Sequence, residues 1–207
     1  MVYNMAMQLS FSNLLQFFSS ISPLLLAFFL VTLSMFNQDL KGLVYLGGVL
    51  IASLINLIIM NTAQVKSDQL IPPSCNLIEF PFNLNEYVSP AFNSMFISFT
   101  FIYLLMPMIF ISSINLPVII CMSLLLVLDG ATKIMAGCTS FWGVGSGILV
   151  GGILGFFYYL VFTSTGKNDL LFFNAEPSNN VVCSRPKKQS YKCSVYKNGS
   201  LVKSQTE

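Results

Sequence analysis

Two charged side chains stand inside an otherwise apolar run, Asp129 and Lys133 in Leu128-Asp129-Gly130-Ala131-Thr132-Lys133. Four residues apart, they share one face of a helix. A carboxylate beside an ammonium within a membrane segment is the chemistry of an ion or proton pathway. The same pair also reads as a self-neutralised interfacial ion pair, because Asp129 lies in the last third of its run and Lys133 can extend its ammonium to the membrane surface. A third reading joins the pair to another helix, with Asn56 the candidate partner. Histidine is absent, which removes the commonest general base and metal ligand together. We therefore expect no enzyme activity, catalytic residue, metal or cofactor.

The five cysteines are Cys75, Cys121, Cys138, Cys183 and Cys193. They are too uneven in spacing to define a disulfide scaffold, and Cys183 with Cys193 is too small a set for zinc. Topology brings Cys75 and Cys138 to one membrane face, where a disulfide between them is open; the alternative is two buried thiols acting as small hydrophobes. The C-terminal tail holds Arg185, Lys187, Lys188, Lys192, Tyr196 and Lys197, a modest basic patch for a partner surface or anionic headgroups. It reads equally as a solvated cytosolic face. Nucleic acid is a disfavoured partner.

The elements that must position these groups are membrane helices. The chain is 55% hydrophobic and 9% charged, with a mean hydropathy of +0.74, outside the range of water-soluble domains. A helix needs about 20 apolar residues to cross a bilayer. Spans are expected at about 14–36, 43–60, 92–114, 117–136 and 142–163. Pro23 and Pro107 should kink the first and third spans and free a carbonyl in each. The connections Asn37 to Lys41 and Ser112 to Asn115 are short enough to make antiparallel hairpins. The first span lacks the basic flank of a cleaved signal and is expected to stay as an anchor.

The proline-rich, mildly acidic loop 61–91 contrasts with the basic tail 164–207. The positive-inside rule retains the tail and Lys41 on the cytosolic side, which puts the loop and the N-terminus on the other. Two domains are thus expected, a helical bundle over 1–163 and a tail over 164–207. Within the tail, Asn198-Gly199 predicts a β-hairpin over 191–204, with Tyr196 opposite Leu201 and Val195 opposite Val202. Leu170-Leu171-Phe172-Phe173 reads as an apolar lid or a lipid-surface anchor.

The last span carries glycine at every fourth position: Gly143, Gly147, Gly151 and Gly155. At helical spacing these form a strip of bare backbone, a glycine-zipper pattern that lets another helix approach closely. That helix belongs either to the same chain or to a second copy in a homo-oligomer.

The run from Cys183 through Arg185-Pro-Lys-Lys188 to Cys193 and Asn198-Gly199, with Asp129 to Lys133 and Gly137-Cys138, resembles small multi-pass membrane proteins of large nucleocytoplasmic DNA viruses, including those of algae. The resemblance covers roughly the last 80 residues. It implies a structural component of the virion inner membrane, derived from host endoplasmic reticulum. Such a minor capsid protein would tie membrane to shell through its tail. It brings no active-site residues with it.

Overall fold

The computed structural model describes residues 11–65, 75, 89–173, 192–197 and 200–206. Five helices follow one another: α1 (Phe11–Phe36), α2 (Lys41–Ala63), α3 (Phe92–Phe110), α4 (Leu116–Met135) and α5 (Phe141–Ser164). Each is long and apolar enough to cross a membrane, and the chain is a multi-pass integral membrane protein.

Helix α3 lies at the centre of the bundle. It touches all four other helices, which surround it in the order α1, α2, α5, α4 and back to α1. Its side chains Met95, Ile97, Phe99, Tyr103 and Met108 are essentially without exposure and fill the bundle axis. The outer helices instead present Leu24, Phe28, Leu50, Leu124 and Leu149 outward, as lipid requires.

The turns are set locally. Helices α1, α3, α4 and α5 each end with a left-handed residue, respectively Gln38, Ser112, Gly137 and Gly166. In each, the next residue donates its N–H back to the helix, as Ser113 does to Met108 O at 3.0 Å and Cys138 to Lys133 O at 2.9 Å. This closing pattern satisfies carbonyls that would otherwise be orphaned in a membrane. Because the pattern closes at Ser112, α3 ends at Phe110 and not at 114 as the apolar run suggests. Ser34 binds the α1–α2 hairpin: its Oγ accepts the Gly42 N–H at 2.8 Å and donates to Asp39 O at 2.7 Å.

Both prolines sit inside continuous helices. Pro23 cannot donate to Ser19 O, and Ser22 Oγ takes that place at 2.8 Å. The freed carbonyl is satisfied from its own turn.

The helical unit runs to Glu176, and a second unit spans Pro177–Glu207. After α5, the chain turns at Gly166, forms a short 3₁₀ turn over Asn168–Leu170, and returns Leu171 and Phe172 into the core cluster that includes Tyr103 and Met108. Those two side chains are 0% and 6% exposed. Apolar burial thus carries the packed chain past the end of the last span.

Candidate functional site: an intramembrane polar cluster

Asp129 is 1% exposed. Leaving an isolated carboxylate in such a place is costly, and three helices supply it with partners. Ser19 Oγ of α1 donates to Asp129 Oδ1 at 2.9 Å, and Ser94 Oγ of α3 donates to Oδ2 at 3.0 Å. Lys133 Nζ stands 4.0 Å from Oδ1, one turn along α4, with its side chain 16% exposed. Thr132 Oγ1 lies 2.9 Å from Ser19 Oγ and extends the chain of hydroxyls. Close by in sequence, Asn93 Nδ2 donates to Ser20 O at 3.3 Å, a second polar tie between α1 and α3.

The pair Asp129 and Lys133 is therefore joined to other helices, but not through Asn56. Asn56 Nδ2 turns along its own helix to Met60 Sδ at 3.5 Å. Neither serine was singled out in the sequence. Ser19 has one legible signal, its place four residues before Pro23. Ser94 has another: with Ser98, Thr100 and Tyr103 it makes α3 polar around much of its circumference, as suits a helix enclosed by others.

The arrangement is a satisfied, charge-neutral network. It closes α1, α3 and α4 on one another near the end of the bundle that also holds Cys138. There, Cys75 and Cys138 form a disulfide with Cα atoms 5.4 Å apart, and Gln16 Nε2 of α1 reaches Cys138 Sγ at 3.5 Å. Among the described residues, no group of three or more histidine, cysteine or carboxylate side chains is placed to hold a metal.

Next to this network on α3, the glycine strip meets backbone. A Cβ added at Gly147 would stand 2.6 Å from Ala91 O, and one at Gly155 2.7 Å from Phe99 O. At Gly151 it would overlap Met95 O. Gly143 contributes its carbonyl, which accepts the Ala91 N–H at 2.9 Å. The helix that uses the strip is α3 of the same chain, so the strip is covered. Ser98 Oγ reinforces the contact by donating to Ile148 O of α5 at 2.7 Å. Gly145 faces open space.

Of the tail residues, Lys192, Tyr196 and Lys197 fall in described backbone, whereas Arg185, Lys187 and Lys188 lie outside the described residues. No protein-family model, curated protein or solved structure matches the chain.

Proposed function

We propose that this is a structural membrane protein, a rigid helical anchor whose basic tail docks on a partner. The observation that carries this reading is the position of α3: it occupies the axis with packed side chains, and its flanks are closed by the Asp129 network and the glycine contact. An anchor needs such a filled interior. The return of Leu171 and Phe172 into the core supports it further, because the chain then leaves the bundle from a fastened point.

The tail docks as a β-hairpin. Backbone pairing of β1 (Lys192–Lys197) with antiparallel β2 (Ser200–Thr206) supports this, with Tyr196 opposite Leu201. An irregularity between Val195 and Tyr196 sets Val195 opposite Lys203, where simple counting from the turn puts Val202. The tail faces the cytosol. Two independent features support that orientation: basic residues gather in the tail, and the Cys75–Cys138 disulfide, on the opposite face by helix alternation, belongs in an oxidising compartment. In the viral setting that the resemblance implies, the membrane is the virion inner membrane and the docking surface is the capsid.

Deleting residues 180–207 tests the reading. Membrane insertion and bundle stability should be unchanged while recovery of the partner by cross-linking is lost; unchanged recovery refutes the tether.

A second reading, a small transporter or channel, draws on the burial of Asp129 within a span. It requires ion or solute flux into liposomes that Asp129→Asn with Lys133→Met abolishes.

A further inference from the structure

Between α2 and α5 the surface of the bundle is concave. Gly48, Ile51 and Ile55 form one wall, Phe157 and Val161 the other, and Phe99 of α3 the floor of a cavity of about 190 Å³. Its lining is apolar and it opens sideways, with Ile51, Phe157 and Val161 each more than half exposed at its rim. The ring of Tyr158 lies against Gly48, where an added Cβ would come within 2.6 Å of it, and its hydroxyl donates to Val44 O at 2.6 Å. That bond satisfies the tyrosine and leaves the groove without an open polar group at this wall.

The surface lies within the spans, so what meets it is the bilayer. Lys41 opens α2 seven residues before Gly48, and fourteen before Ile55, on the same strip of the helix. Seven residues of helix rise about 10 Å, which sets a cation at the membrane surface above an apolar slot. Lys41 Nζ pairs with Asp39 Oδ2 at 3.9 Å, the far edge of an ion pair, while Asp39 Oδ1 accepts from Ser34 and from the Lys41 N–H. An ammonium has three donors. We infer that the groove binds one anionic phospholipid, an acyl chain lying between α2 and α5 and the phosphate headgroup at Lys41, in the leaflet on the side of the α1–α2 turn.

Native mass spectrometry of the full chain in detergent, with equal amounts of dioleoyl phosphatidylglycerol and dioleoyl phosphatidylcholine, tests this. The wild type should retain one lipid and favour phosphatidylglycerol about fivefold, as one interfacial cation would give. Lys41→Gln should keep a bound lipid but lose the preference. Ile51→Trp and, from the opposite wall, Val161→Trp should each lose both lipids, the unchanged melting temperature of at least one of them showing an intact bundle. Equal retention of the two lipids by the wild type, an undiminished preference in Lys41→Gln, or lipid retained by both tryptophan variants overturns the assignment. A wild-type dimer that both tryptophan variants dissolve also overturns it, giving the groove to a second copy.

Discussion

Ser94 of the central helix and Asp129 of α4 meet through a hydrogen bond of 3.0 Å, with both side chains 1% exposed or less. The bond makes the buried charge a property of three helices at once, since Ser19 holds the other carboxylate oxygen from α1. Hydrogen bonds between membrane helices contribute about 0.6 kcal/mol on average. Breaking a buried pair by removing one charge costs more, roughly 3–5 kcal/mol, because the other charge is left behind.

Asp129→Ala should accordingly lower stability by several times the effect of Ser94→Ala or Ser19→Ala. Asp129→Asn combined with Lys133→Met should recover much of that loss. Thermal unfolding in detergent, compared across the four variants, checks the order. Equal losses for Asp129→Ala and Ser94→Ala would show that the charge is solvated and the network dispensable.

Glycines of one helix should divide sharply in their tolerance of a methyl group. Gly151→Ala and Gly147→Ala place a Cβ against backbone of α3, which cannot yield as a side chain can. These variants should separate α3 from α5 and lower the melting temperature. Gly145→Ala meets open space and should be neutral, or stabilising by up to about 1 kcal/mol through helix propensity. Circular dichroism melts of the three variants distinguish a helix contact from a general aversion to bulk.

The disulfide joins positions separated by 63 residues. Closing a loop of that length limits the unfolded chain by roughly 4 kcal/mol in the chain-entropy account, an upper value for a chain already confined to a membrane. Cys138→Ser should reduce stability and leave Cys75 open to a membrane-impermeant maleimide added from the face opposite the tail. Labelling of Cys75 from the cytosolic side alone, with Cys121, Cys183 and Cys193 changed to Ser, would reverse the proposed orientation.

The segment after α5 should behave as part of the bundle. Phe172→Ser exchanges a buried ring for a hydroxyl, a core loss of about 3 kcal/mol or more, and should expose 165–173 to protease while α5 stays protected. Cleavage at equal rates in wild type and variant would mean that the segment is not docked.

The helical spans were legible because crossing a bilayer demands length and apolarity that few other structures show. The glycine spacing of α5 revealed a contact face, and Asp129 with Lys133 revealed a polar one, since both are local patterns on a single helix. Their partners were not legible. Nothing in the spacing of Ser19 or Ser94 names Asp129, because the relation exists only once α1 and α4 pack against α3. Leu171 and Phe172 illustrate the same limit: an apolar pair beyond a membrane span suits a lipid surface and a protein core alike. The turn at Gly166 directs it to the core.

The central place of α3 also bears on how the protein is made. Its polar groups wait for partners that are synthesised later: Ser94 for Asp129 of α4, and Ser98 for Ile148 of α5. When the first three spans have left the ribosome, the helix destined for the axis still has two of its four neighbours missing, and its Ser94 and Ser98 hydroxyls face lipid or an insertion factor. Assembly must therefore finish from the C-terminal side, with α5 as the closing element. A chain truncated before Phe141 would insert but keep α3 exposed, a substrate for membrane quality control rather than a smaller version of the same fold.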